Sequence, residues 1–238
     1  MNELTKIILF SGGLDSTYLL YDHVMRKENI YVHHIILKNN TQPRWREELK
    51  ASRNIVNYLK KYYDHDFTYT ESEWSFDSDT VWDAEIETFV AVELVSHINS
   101  KKVMYVRGNV RDDLVRNDSL YRATVHSNME KLWHFGIHKY GDKVIPEVAK
   151  PIYHLWKKDI IKKLPVDLYK MIWYCMNPKD GKPCGDCLSC VKHHNAEHGV
   201  IYDRDNYTEF KTEHYWEFVE FLKQMRYEQQ GGNHELSI

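Results

Sequence analysis

The sequence predicts an α/β protein, with a doubly wound parallel sheet of five strands followed by a small cysteine-containing segment at the C-terminus. Short β-branched apolar runs alternate with longer stretches of helical periodicity, as crossover helices between parallel strands require. The first apolar run leads directly into a loop of small residues. All four cysteines of the 238 residues lie between positions 175 and 190. We expect an α/β domain over residues 1–170 and a cysteine-containing unit with a helical extension over residues 171–238.

Two apolar runs mark the first strands. Lys6–Phe10 and Tyr31–Leu37 are short and rich in β-branched side chains, which favours strands. Helical spacing of apolar residues follows each run, at Ser16–Lys27 and at Trp45–Tyr63. The chain therefore begins as strand, helix, strand, helix.

The same alternation continues to about residue 164. A third strand is expected at Phe67–Thr70, and the polar, aromatic stretch Glu71–Thr80 is expected to be a loop. Helix Val81–Asn99 carries an apolar stripe with residues four apart, which is typical of core packing. The remaining strands are expected at Val103–Val106 and Val144–Ala149, and the remaining helices at Ser119–His134 and Lys157–Leu164.

In a parallel sheet of this kind, ligands bind beyond the carboxyl ends of the strands. The loops that follow the first four predicted strands should therefore meet at one cleft. They are Ser11–Ser16, Asn39–Arg46, Glu71–Thr80 and Gly108–Asp118.

Composition narrows the classes of function. The net charge of −3 offers no electrostatic case for nucleic acid. No apolar run reaches membrane-spanning length, and no membrane partner is expected. Glu3 and Lys6 flank the first strand where a signal peptide would need apolar residues, which predicts a cytoplasmic protein.

The loop after the first strand has the composition of an anion site. Adjacent glycines let the backbone approach a ligand, the serine hydroxyls donate hydrogen bonds, and the first turn of a helix attracts an anion. We predict that it binds phosphate; an N-capped helix after a glycine turn is the alternative. The loop consists of Ser11, Gly12, Gly13, Leu14, Asp15 and Ser16.

The cysteine cluster predicts a metal site. Four thiolates complete a tetrahedral zinc site and leave no open position, so one structural Zn²⁺ per chain is expected. In a reducing compartment, disulfide pairing is the less favoured alternative. The ligands would be Cys175, Cys184, Cys187 and Cys190.

Further short motifs accompany the loop and the cysteines. Together they cover residues 5 to about 199. They are Gln42, Arg44, Trp45, Glu48 and Ala51; Gly108, Asn109 and Asp113; Pro151, Leu155, Lys157 and Ile160; Trp173-Tyr174-Cys175; and Lys182-Pro183-Cys184-Gly185-Asp186-Cys187-Leu188-Ser189-Cys190.

With these motifs the sequence resembles the 7-cyano-7-deazaguanine synthase (QueC) family of the N-type ATP pyrophosphatases, the PP-loop superfamily. The resemblance implies a Rossmann-like fold of the adenine nucleotide alpha-hydrolase type. It also implies an ATP-dependent ligase that converts 7-carboxy-7-deazaguanine and ammonia to 7-cyano-7-deazaguanine, through an adenylated carboxylate and an amide. This reaction belongs to 7-deazaguanine and queuosine biosynthesis. ATP, Mg²⁺ and Zn²⁺ are the implied cofactors.

The resemblance also suggests roles for four individual side chains. Asp15 would assist Mg²⁺ or cap the helix. Lys157 would face the phosphates, or else be a solvated helix lysine. Asp113 and Arg44 are candidates for contacting the acceptor.

The sequence departs from the family pattern on the acceptor side. The family's Pro-Gly-Arg-Asn segment is missing where this chain has Val81–Glu85. The alternatives are an adenylating ligase that uses a 7-deazaguanine donor on a protein or nucleic-acid acceptor, or a zinc-stabilised nucleotide-binding module without turnover. The extension over 202–238 carries a dense apolar set from Tyr215 to Met225, which suggests a homodimer contact or packing within the chain.

Overall fold

The computed structural model describes residues 2–39, 43–76, 83–113 and 129–199. Within them one parallel sheet has the strand order β3-β2-β1-β4. Its strands are β1 Asn2–Leu9, β2 Ile30–Asn39, β3 Thr68–Phe76 and β4 Ser100–Val106. The helices are α1 Leu14–Met25, α2 Trp45–Tyr62, α3 Asp83–Leu94, α4 over residues 129–137, α5 Lys157–Lys163, α6 Val166–Tyr169 and α7 Leu188–Glu197.

The sheet is covered on both faces, which confirms the predicted doubly wound arrangement. Successive side chains of a strand point to opposite faces, so the neighbours Ile7 and Ile8 enter two separate cores. The core around Ile8 contains residues of α1, α2, α5 and α6. The core around Ile7 contains residues of α3 and α4, including the fully buried Trp133.

The prediction of a fifth strand at Val144–Ala149 is wrong, since the described sheet has four strands. The segment does run parallel to β4, but it makes only isolated bridges, from Val144 to Val103 and from Ala149 to Val106. Pro146 lies between these bridges and has no N–H to donate to a ladder. The segment therefore closes the sheet edge without continuous pairing.

The prediction of a loop from Glu71 is also wrong up to Phe76, because β3 pairs with β2 as far as Asn39. The polar residues that suggested a loop, such as the exposed Glu73, are tolerated because β3 is an edge strand with one side open to water. Helix α3 is shorter than predicted and ends in a 3₁₀ turn at Val95–His97.

Several predicted features lie outside the described residues. They include Gln42, the loop positions 77–80, the first part of the helix predicted at Ser119–His134, and the extension over 202–238 with its predicted dimer contact. Among the described helices, none combines the length and the apolar character needed to cross a membrane.

The strand order places the reversal of the sheet between β1 and β4. The chain steps outwards from β1 to β2 and β3, then returns to the other side of β1 as β4. Such a switch point leaves a crevice between the loops that follow the two central strands. Here these loops contain residues 10–13 and 107–110, which places the predicted phosphate loop at the crevice.

Candidate functional site

In the predicted phosphate loop, only the first of the two glycines has a backbone conformation that requires glycine. Gly12 has φ +76°, in the left-handed region that favours glycine. A Cβ on Gly12 would lie 2.9 Å from the backbone nitrogen of Ser52, because α2 presses against the loop. Gly13 has φ −79° and ψ 171°, which any residue adopts. The close approach of α2 is thus the reason for the first glycine of the pair.

Hydroxyl groups converge where α1 begins. The Oγ atoms of Ser11 and Ser16 are 3.0 Å apart, and the Gly13 N–H donates to Ser11 Oγ at 3.3 Å. Helix α1 has Gly13 as its N-cap, and no described side chain caps it. Capping by Asp15 or by a serine, one of the alternatives from the sequence, is therefore not what the described residues show. The arrangement leaves the positive end of α1 directed at the crevice.

Lys157 and Asp15 form an ion pair beside this loop, although 142 residues separate them. The Lys157 side chain is only 13% exposed, which excludes a solvated surface lysine. The backbone N–H of Lys157 donates to the carboxylate of Asp112 at 2.8 Å. Burial raises the pKa of Asp112, although the Lys157 amide lowers it. Asp112 thus fixes the start of α5, and α5 delivers the lysine to the loop.

A cavity of about 220 Å³ opens from the loop between β1 and β4. Ser11, Asp15 and Ser16 line one end of it. The walls also carry two arginines and two glutamates that come from four different positions in the chain. They are Arg44, Glu48, Glu87 and Arg107.

These charged groups form two pairs. Arg44 Nε lies 3.0 Å from Glu48 Oε1, and the same guanidinium also pairs with Asp83. Arg107 lies 3.7 Å from Glu87. Three carboxylates therefore face two guanidinium groups. The surplus of carboxylate oxygens suits a ligand that brings hydrogen-bond donors.

Two of these carboxyl groups have raised pKa values. Burial raises the pKa of Glu48 to about 7, against the lowering effect of Arg44, and Asp83 and Glu87 raise it further. Burial likewise raises the pKa of Glu87 above its usual range. Burial opposes the charge on Arg44, but its acidic neighbours raise its pKa overall. A carboxyl group that titrates near pH 7 can hold or release a proton inside the cavity.

The raised pKa of Glu48 predicts a pH-dependent effect on stability. The folded chain keeps this proton longer than the unfolded chain, so its contribution to stability falls as pH rises from about 4.5 to about 7. We expect the free energy of unfolding of Glu48→Gln, relative to that of wild type, to rise by at most about 3 kcal/mol between pH 5 and pH 8. Denaturant unfolding at four pH values measures the difference.

The exposed Glu73, changed to Gln, is the matched control for the loss of one carboxylate. A Glu48→Gln stability curve parallel to that of wild type would contradict the prediction.

The four cysteines form one cluster. Their sulfur atoms all lie within 4.8 Å of one another, with 3.5 Å between Cys175 and Cys184 and 3.9 Å between Cys184 and Cys190. A tetrahedral ion with metal–sulfur bonds of about 2.3 Å requires sulfurs about 3.8 Å apart. The Cys184 N–H donates to Cys175 Sγ at 3.2 Å, as amides do around metal-bound thiolates. The cluster could hold a single metal ion.

The structure brings most of the predicted site residues together. The loop residues, Lys157 and Arg44 all lie around the crevice. Asp113 has its backbone in a 3₁₀ turn, while its side chain lies outside the described residues. Its neighbour Asp112 is the carboxylate that contacts α5.

Sequence reasoning missed three charged residues of the site. Arg107 could have been found, because it directly follows β4, where parallel sheets place their ligand contacts. Asp112 could not be told from Asp113 by pattern. Glu87 carried no signal, since it lies next to Ile86 in a helix whose periodicity indicates core packing.

Comparisons with known proteins do not assign a family. A scan against protein-family models finds no match, and neither does a search of curated proteins. The U34-tRNA thiolase NcsA from Methanococcus maripaludis, solved with its [4Fe-4S] cluster, is similar at 14% identity and a TM-score of 0.48, over 94% of this chain and 73% of that chain. The NMN synthetase from Francisella tularensis is similar at 11% identity and a TM-score of 0.42, over 100% of this chain and 88% of that chain. Likenesses at this level assign no activity to the chain.

Proposed function

We propose that this protein is an ATP-dependent carbon–nitrogen ligase that activates a carboxylate as its adenylate, with 7-carboxy-7-deazaguanine as the acid and ammonia as the nitrogen donor. The observation that carries the proposal is the single cavity that joins the Ser11–Ser16 loop to the Arg44–Glu48 and Glu87–Arg107 pairs. The choice of acid comes from the resemblance of the sequence motifs to the 7-cyano-7-deazaguanine synthase family.

The loop end of the cavity suits the pyrophosphate of ATP. In the first step a carboxylate oxygen attacks the α-phosphorus, and pyrophosphate leaves as the new P–O bond forms. The Ser16 hydroxyl, the amides at the start of α1 and Lys157 would stabilise the charge that develops on the leaving group. Asp15, which pairs with Lys157, would help to hold a Mg²⁺ ion, and that ion would supply positive charge to the phosphates.

The far end of the cavity suits the acid and the amine. Arg44 and Arg107 can orient a carboxylate, while Glu48 and Glu87 can accept hydrogen bonds from the amino and ring N–H groups of a deazaguanine. Ammonia then attacks the acyl carbon, the bond to AMP breaks, and AMP leaves with the electron pair. A second ATP then adenylates the amide oxygen and pyrophosphate leaves. The C–O bond of this intermediate breaks as the nitrogen loses its two protons, so that the nitrile forms and a second AMP leaves.

The test combines ATP, ammonium and 7-carboxy-7-deazaguanine with the purified chain and follows the products by mass spectrometry. We expect amide and then nitrile, with AMP and pyrophosphate released only when the acid is present. Turnover of ATP without the acid, or absence of nitrile, would favour an adenylating ligase with another acceptor. ATP binding without turnover under any of these conditions would favour the nucleotide-binding module.

Ser16→Ala tests the loop end alone. The change removes a phosphate donor and should lower the rate of AMP release roughly 100-fold, because one pre-organised donor to a developing charge is lost. Ser96→Ala, which removes an exposed hydroxyl that bonds only within its own turn, should leave the rate unchanged. Equal rates of AMP release for Ser16→Ala and wild type would show that the loop takes no part in the mechanism.

Arg44→Ala should spare ATP binding and weaken use of the acid.

A further inference from the structure

The segment just before the first cysteine lies directly against the phosphate loop. The backbone N–H of Trp173 donates to the carbonyl oxygen of Gly12 at 2.9 Å. The carbonyl oxygen of Trp173 lies 3.4 Å from the point that a Cβ on Gly13 would occupy. The backbone of one residue, Trp173, therefore lies beside both glycines of the loop, although it is 160 residues further along the chain than Gly13.

The same segment is tied to the metal-binding cluster. The Trp173 indole N–H donates to the carbonyl oxygen of Cys175 at 2.8 Å, and Cys175 itself is fully buried. The ring of Tyr174, between them, stacks on the ring of His193 with centroids 3.7 Å apart. Residues 173–175 thus connect the loop to the first cysteine and to α7.

Helix α7 supplies a second connection. It begins after Cys187 and contains Cys190, so two of the four cysteines fix its start. Helix α7 packs on α5, α5 packs on α1, and α5 carries the Lys157 that pairs with Asp15. A metal ion at the cluster would hold Cys175 to α7 and so close a ring of contacts around the phosphate loop.

We propose that Trp173 is a positioning residue. When the cysteine cluster holds its metal, the backbone N–H of Trp173 keeps the phosphate loop in its observed conformation. Gly12 is the residue that most needs such support, because its backbone conformation is left-handed and its carbonyl points at Trp173. Without the metal, the backbone at Trp173 should no longer be held in place. The loop should then change conformation, and the N–H donors at the start of α1 should move from their positions. The consequence for nucleotide binding rests on the proposed function; the consequence for loop order does not.

Hydrogen exchange of the full chain, with mass spectrometry, tests the connection without any nucleotide. The metal-loaded chain is compared with the chelator-treated chain in two peptides, the loop over residues 9–20 and the central strand over residues 30–39. We expect exchange in the loop peptide to speed up at least tenfold on metal removal while the strand peptide stays protected. An unchanged loop peptide would overturn the proposal, as would an equal rise in both peptides, which indicates global unfolding.

Variants separate the N–H of Trp173 from its side chain. Trp173→Phe keeps the N–H and should leave loop exchange as in wild type, whereas Trp173→Pro removes it and should reproduce the effect of metal removal with metal still bound. Leu168→Ala, a buried change in α6 nearby, controls for general destabilisation and should not mimic Trp173→Pro. If Leu168→Ala has the same effect as Trp173→Pro, or if Trp173→Phe speeds up exchange in the loop peptide, the proposed role of the N–H is wrong.

ATP affinity is measured on the same samples by titration calorimetry. We expect the dissociation constant to rise at least tenfold for the metal-free chain and for Trp173→Pro, and to stay unchanged for Trp173→Phe. A metal-loaded wild type that binds no ATP would defeat the proposed function, while the exchange result would still decide the link between cluster and loop.

Discussion

Gly12→Ala is expected to abolish activity and to lower stability. An L-residue at φ +76° costs roughly 1–2 kcal/mol, and the new methyl group would lie 2.9 Å from the backbone nitrogen of Ser52, which cannot move without shifting α2. We expect the free energy of unfolding to fall by about 2–4 kcal/mol. AMP formation should fall roughly 1,000-fold or more, because several phosphate donors move together.

Gly13→Ala is the matched control. Gly13 has an ordinary backbone conformation, and its Cβ would meet Ser11 Oγ at 3.3 Å and the Trp173 carbonyl at 3.4 Å. These contacts are tight but can relax by a few tenths of an ångström. We expect a much smaller loss of stability and of activity, measured by denaturant unfolding and by AMP release. Equal effects of the two changes would contradict the loop geometry.

Cys175→Ser is expected to remove the metal and much of the stability with it. Metal binding at four thiolates contributes folding free energy directly, and Cys175 is fully buried behind the loop. We expect a loss of about 5 kcal/mol or more, and a melting temperature lower by about 10–20 °C. Elemental analysis should find about one zinc per wild-type chain and almost none in the variant.

Lys179→Ala lies in the same segment but changes an exposed side chain, so metal content and melting temperature should stay as in wild type. A four-iron cluster in place of a single ion would contradict the assignment, because each of its cysteines binds a different iron and the sulfurs must lie further apart than one shared ion allows. A folded wild-type chain without metal would also contradict it.

Short-range pattern was enough to predict the parallel α/β fold, the position of the Ser11–Ser16 loop at the carboxyl ends of the strands, and the clustering of the four cysteines. Strand and helix periods repeat within a few residues, and the direction of crossover connections follows from chirality, so alternation alone predicts where the carboxyl ends of the strands meet. The cysteine spacing is local for the same reason, since all four lie within one stretch from Cys175 to Cys190. These features need no knowledge of how distant elements pack.

Packing between distant elements decided the rest. Whether Val144–Ala149 forms a strand depends on a continuous ladder with β4, which Pro146 interrupts. The pairing of Lys157 with Asp15 and the approach of Glu87 to Arg107 join groups far apart in the chain, and these contacts exist only once the helices lie on the sheet.

The two glycines of the loop show most clearly the difference between what the sequence predicts and what only the tertiary structure decides. They are alike in the sequence, and pattern alone predicts a tight loop at that point. Only the tertiary structure shows that α2 crowds Gly12 and that Trp173 holds its carbonyl oxygen, because the steric demand on a residue is set by the neighbours that folding brings to it.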